Sequence, residues 1–75
     1  MLKDEQHIRE AFGKHLKSLR DERDWSQVDL SHAADLDPGY IGKIERGRVN
    51  PGLTYLVAIA RGLDITLTEL MDFKI

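Results

Sequence analysis

Ser26-Gln27-Val28-Asp29-Leu30-Ser31-His32-Ala33-Ala34-Asp35-Leu36-Asp37-Pro38-Gly39-Tyr40-Ile41-Gly42-Lys43-Ile44-Glu45-Arg46-Gly47 holds two short helix signatures in succession, each opening with its own cap. Ser26, followed three residues later by Asp29, is a capping box with a short acid, so a helix is predicted over 27–34. Val28, Leu30, Ala33 and Ala34 supply its inward contacts, and the two alanines are small enough for a second helix to cross closely. Asp35 takes the turn in a left-handed backbone, which Asp tolerates better than most residues. Asp37 caps the next helix and Pro38 takes its first position, where a missing N–H costs nothing. That helix is predicted over 38–46, with Ile41 and Ile44 facing inward beside Leu36, and Gly47 closes it. Two short helices joined by a tight turn, the second with a cationic tail, form a helix-turn-helix, whose second helix commonly enters the DNA major groove.

Outward from this stretch the periodicity stays helical. Ile8, Ala11, Phe12, His15, Leu16 and Leu19 form one stripe of a helix predicted over 5–23, with Asp4 at its N-cap. Lys3, Glu10, Lys14, Lys17 and Asp21 make the solvated opposite face. Asp24 takes the turn that follows. Trp25, just ahead of the next cap, occupies a hydrophobic-staple position and should lie against the core. Leu53, Leu56, Val57, Ile59, Ala60 and Leu63 make a helix over 53–62 apolar nearly all round, which predicts a central, buried element. Thr66-Leu67-Thr68-Glu69 is a full capping box that starts a short fifth helix through about Asp72. The expected fold is therefore all-α, a single-domain five-helix bundle over residues 1–75.

Composition narrows the function classes. The chain has 75 residues and a net charge of −2, so any affinity for phosphate must come from local charge rather than the total. Residues 38–52 supply it, with Lys43, Arg46 and Arg48 against the single acid Glu45. There is no cysteine, hence no disulfide and no thiolate metal site, which suits a cytoplasmic location. No run approaches a membrane span, and the charged amino terminus does not read as a signal peptide. His7, His15 and His32 lack metal-ligand spacing, and no nucleophile–base constellation is visible, so neither a metal, a cofactor nor an enzymatic activity is expected. The carboxyl-terminal residues Leu67, Leu70, Met71, Phe73 and Ile75 are more apolar surface than so small a domain covers alone, and are the expected joint of a homodimer.

Read together, Gly13, Leu16, Leu19-Arg20, Trp25-Ser26-Gln27, Leu30, Ala33-Ala34, Tyr40-Ile41, Ile44-Glu45-Arg46-Gly47-Arg48, Pro51, Leu56, Ile59-Ala60, Leu63, Ile65, Leu67 and Glu69-Leu70 resemble the phage-repressor or Cro-like (XRE) helix-turn-helix family over about residues 8–71. The resemblance implies a lambda-repressor-like fold with the motif in helices 2 and 3. It further implies a small transcriptional regulator, such as an autoregulatory repressor or controller protein, that binds double-stranded operator DNA as a symmetric dimer. Carried over by position, Gln27 would bond a backbone phosphate and brace helix 3, and Ser26 would cap helix 2 beside a second phosphate. Pro38, Gly39 and Lys43 hold the positions that touch base edges, with Tyr40 beside them. Arg46, Arg48 and Asn50 would meet phosphate, while Arg20 and Glu45 match a structural salt bridge between helices 1 and 3.

The chain departs from that pattern where bases are read. Pro38 and Gly39 carry no hydrogen-bonding side chain, Gly42 is expected on the same exposed side, and Asp37 would be repelled by phosphate. Direct readout then rests mainly on Lys43, with Arg46 or Arg48, or specificity comes from DNA shape. The alternative is an antitoxin-like or other protein-interaction module that keeps the fold and binds DNA weakly, its bare surface admitting a protein partner.

Overall fold

Residues 4–75 are described by the computed structural model, and they form five helices in order: α1 (Glu5–Asp21), α2 (Gln27–Ala34), α3 (Pro38–Glu45), α4 (Leu53–Leu63) and α5 (Leu67–Leu70). No strand occurs among the described residues, so the all-α reading holds. Lys3, assigned above to the polar face of helix 1, lies outside them. No described helix is long and apolar enough to cross a membrane.

Local caps set the boundaries. Ser26 Oγ accepts from the Asp29 N–H at 3.0 Å, and Asp29 Oδ2 accepts from the Ser26 N–H at 2.8 Å, closing the capping box of α2. The bond from the backbone N–H, and then Ser26's hydroxyl, hold the Asp29 carboxyl below its ordinary range. Asp37 Oδ1 accepts from the Gly39 N–H at 2.7 Å at the head of α3. Thr66 and Glu69 repeat the box at α5. Asp24, Asp35 and Asp64 each make a left-handed turn after a helix, with φ of 56°, 58° and 56°. Asp4 stands at the N-cap of α1, but its carboxylate makes no capping hydrogen bond. α1 ends two residues earlier than predicted, and Arg23 beyond it donates to Leu19 O at 2.8 Å and Leu63 O at 3.0 Å. That side chain covers carbonyls at the ends of both α1 and α4.

All five helices feed one core, built from Phe12, Leu16, Leu30, Ile41, Ile44, Ile59, Ala60, Leu63 and Leu70, with Trp25 and Leu36 packed at its margin. Each fully buried leucine or isoleucine contributes on the order of 1.5–3 kcal/mol. Two expectations fail here. Val28 and Ala33 face solvent rather than the core. α4 is not central: Ile59, Ala60 and Leu63 are buried, but Leu53 is 68% exposed and Tyr55 45%. A bundle this small offers α4 packing partners on one side, so its apolar circumference outruns the core available.

Close crossings are made by glycines. A Cβ on Gly13 would stand 2.5 Å from Ile44 O and 2.6 Å from Glu45 O, so α1 and α3 touch backbone to side-chain-free backbone. A Cβ on Gly62 would lie 2.9 Å from Ala34 N. The close crossing expected at Ala33-Ala34 thus exists, but Gly62 on α4 permits it. The tail returns along α1. The Phe73 ring lies 5.5 Å from Phe12 and stacks on His15 at 5.7 Å, while His7 and His15 donate through Nε2 to Ile75 O and Glu69 O.

Candidate nucleic-acid interface

The end of α3 is fixed from behind through one carboxylate. Arg20 on α1 donates from Nε to Glu45 Oε2 at 2.8 Å and from Nη2 to Glu45 Oε1 at 2.9 Å. Its Nη1 donates to Trp25 O at 2.7 Å. The Glu45 side chain is 4% exposed and that of Arg20 10%. Its hydrogen bonds to Glu45 raise the Arg20 pKa against the opposing effect of burial, so the guanidinium stays charged. Gln27 on α2 adds a bond from Nε2 to Glu45 Oε1 at 3.1 Å. Three helices therefore converge on Glu45. The structural pair and the brace from Gln27 are both present. With one amide hydrogen committed to Glu45, the second N–H of Gln27 has no hydrogen-bond partner among the described residues.

In front of this clamp lie the cations. Lys43, Arg46 and Arg48 are all exposed, and among the described residues no carboxylate pairs with them. Pro38, Gly39 and Asn50 are also exposed, as is Ser26, whose hydroxyl is engaged in its cap. Asn50 borders a small cleft of about 80 Å³ shared with Pro51, Leu56, Met71 and Phe73. Tyr40 is half-buried, its ring 5.0 Å from Tyr55 at a 39° tilt. Burial, and to a lesser degree the neighbouring Tyr55, push its phenol pKa up. The ring is thus a joint between α3 and α4; the sequence marked Tyr55 as a packing residue on helix 4, and the fold supplies Tyr40 as its partner.

Two placements correct the sequence reading. Gly42 is buried, not exposed: a Cβ there would meet Arg46 Nη1 at 3.1 Å and Gln27 Oε1 at 3.2 Å. Being covered by side chains from its own and the adjoining helix, it is no vacant base-reading position. Leu70 is 0% exposed and belongs to the subunit's own core, which removes it from the dimer joint. Phe73 is half-buried on Phe12, whereas Leu67, Met71 and Ile75 remain open to solvent. Leu53 joins these exposed apolar residues, although the sequence placed it inside.

Comparison with known proteins agrees with the fold. A family model described as helix-turn-helix (HTH_3) matches residues 16–70. The chain is 45% identical over 66 residues to the control protein C.MunI of a Mycoplasma species, covering 87% of this chain and 89% of that one. It is 39% identical over 61 residues to the immunity repressor protein of Bacillus phage phi105, spanning 81% of this chain but 42% of the repressor. The solved structure of the restriction-modification controller protein C.AhdI from Aeromonas hydrophila has a TM-score of 0.84 at 35% identity, covering 87% of this chain and 98% of that one.

Proposed function

This chain belongs to the helix-turn-helix (HTH_3) family of DNA-binding transcriptional regulators, and we propose that it is a controller-type, autoregulatory member that binds operator DNA as a two-fold dimer in the cytoplasm. The likeness to controller proteins over nearly their whole length favours that assignment over the phage repressor, of which less than half is matched. One observation carries the mechanism. Lys43, Arg46 and Arg48 stand free on a helix end whose position Arg20, Gln27 and Glu45 set.

On this reading α3 enters the major groove. Arg46, Arg48, Asn50, the free N–H of Gln27 and the start of α2 at Ser26 hold phosphate, which fixes register without reading sequence. Lys43 supplies direct base contact, while Pro38 and Gly39 let the backbone lie close to the base edges. Tyr40 lies beside them, steadied by Tyr55. Two-fold pairing through Leu53, Leu67, Met71 and Ile75, with the exposed edge of Phe73, sets two copies of α3 about 34 Å apart, the separation of half-sites one helical turn apart.

Pro38 and Gly39, exposed and without a hydrogen-bonding side chain, favour a second reading in which the same surface serves a protein partner and DNA binding is weak. Selection of duplexes from a random pool separates the two. The regulator recovers a palindrome with half-sites one turn apart; a protein-interaction module recovers no consensus.

A further inference from the structure

The turn after α3 is seated on α1. Gly47 has a φ of 70°, and a Cβ on it would stand 2.7 Å from Glu10 Cγ and 3.1 Å from Glu10 Cα, so the loop lies directly on the second turn of α1. The residues that follow alternate. Gly47 is buried, Arg48 exposed, Val49 packed against the core and Asn50 exposed. The peptide that joins Gly47 to Arg48 is bonded at both ends. Its N–H donates to Lys43 O at 2.9 Å, and its carbonyl, Gly47 O, accepts from Gln6 Nε2 at 3.1 Å.

The Gln6 amide has one orientation open to it. Arg9 Nη2 donates to Gln6 Oε1 at 2.6 Å, and a guanidinium can only donate. Nε2 therefore turns the other way, toward Glu10 Oε2 at 3.1 Å and Gly47 O at 3.1 Å, both acceptors. Arg9 is itself tied to Glu5, Nη1 to Oε1 at 3.3 Å. The start of α1 thus holds a backbone carbonyl 41 residues away, and no other donor to that carbonyl occurs among the described residues. A peptide held only at its N–H can swing its carbonyl. Held at both ends, it fixes the point from which the Arg48 side chain leaves the loop. An arginine that starts from a fixed point loses less freedom when it meets a phosphate.

We infer that Gln6 is a positioning residue for phosphate binding: it clamps the Gly47–Arg48 peptide and so sets where Arg48 leaves the surface, a role that rests on the DNA-binding reading of α3. Gln6 itself meets no phosphate. It acts through one hydrogen bond and the peptide unit that Arg48 shares. Its neighbours in the loop are anchored in other ways. Arg46 donates its own N–H to Gly42 O at 3.1 Å at the end of α3, and Asn50 follows the core-packed Val49. Loss of the clamp is therefore felt at Arg48 and not at Arg46.

The test uses Gln6→Met in the full chain. Methionine is close to glutamine in length and helix propensity and leaves the net charge unchanged, so what it removes is the donor to Gly47 O. Wild type, Gln6→Met, Arg48→Ala and the double variant are titrated with a duplex that the wild type recovers from a random pool. The same cycle is run with Arg46→Ala in place of Arg48→Ala, and amide exchange at the Arg48 N–H is measured alongside. The expected Gln6→Met protein melts cooperatively, exchanges the Arg48 N–H faster than wild type and binds about fivefold more weakly, a loss that disappears when Arg48 is replaced and persists when Arg46 is. Wild-type affinity for Gln6→Met overturns the inference. So does a loss that persists undiminished with Arg48→Ala, or one that vanishes equally with Arg46→Ala. A wild type without salt-dependent binding instead overturns the DNA reading, and this inference with it.

Discussion

Arg20 grips Glu45 with two nitrogens, at 2.8 and 2.9 Å, across the crossing where Gly13 brings α1 onto the last carbonyls of α3. The pair is almost wholly removed from solvent, so truncating one partner strands the other's charge. Glu45→Ala and Arg20→Ala should each cost roughly 3–5 kcal/mol in urea unfolding. Arg20→Lys should recover only part, because an ammonium cannot reproduce a two-point fork. A loss under about 1 kcal/mol for Glu45→Ala, the range of an exposed pair, contradicts the account of this joint.

Gly13 and Gly39 offer a matched contrast. Alanine at Gly13 drives a methyl into Ile44 O and Glu45 O, so α1 and α3 must separate. The expected penalty is about 1–3 kcal/mol, the usual range for overpacking. Alanine at exposed Gly39 meets only Asp37 Oδ1 at 3.1 Å and should leave thermal stability nearly unchanged. Equal melting temperatures for the two variants are incompatible with the close crossing.

The local grammar of the chain was legible without coordinates. Ser26 with Asp29, Asp37 with Pro38 and Thr66 with Glu69 announce helix starts, because capping chemistry involves neighbours in sequence. The left-handed turn at Asp35 is likewise a local property. Gly13, Gly42 and Gly62 show where that legibility stops. Each is shaped by a segment or side chain from another helix, and a bare glycine in a periodic pattern carries no mark of what lies against it. Val28 and Leu53 fail for a related reason: periodicity finds apolar residues but not the limited area of core that takes them in. The site follows the same division. Lys43, Arg46 and Arg48 stand out as a local excess of charge, and the family resemblance marked Gln27 as a brace of α3, whereas Glu45 as its partner and the Tyr40–Tyr55 contact needed the fold.

Asp29 gives stability a dependence on acid. Its carboxyl pKa is depressed in the folded state, so its capping bonds favour folding fully above the ordinary carboxylate value of about 3.9. That contribution fades as pH falls through the depressed value, where the folded-state carboxylate itself takes up a proton. The stability gap between wild type and Asp29→Asn, measured by denaturation, should therefore hold from neutral pH to about pH 4 and narrow below it. A gap that widens in acid reverses the sign of the argument.

Leu53, Met71 and Ile75 are exposed apolar residues outside the subunit's core cluster. Met71→Glu or Leu53→Glu should leave the melting transition cooperative and shift sedimentation from dimer to monomer. DNA affinity should fall with it, since one half-site then binds alone. Dimers that survive both substitutions place the joint elsewhere.

The most direct measurement is the salt dependence of binding to a duplex recovered from a random pool, for wild type, Lys43→Ala and Arg48→Ala. Affinity should drop steeply as salt rises, with Arg48→Ala reducing the slope by about 0.9 and weakening every sequence alike. Lys43→Ala should instead relax preference at one base position by about 1–3 kcal/mol. Affinity that ignores salt, or a Lys43→Ala protein that weakens all sequences equally, contradicts the placement of α3 in the groove.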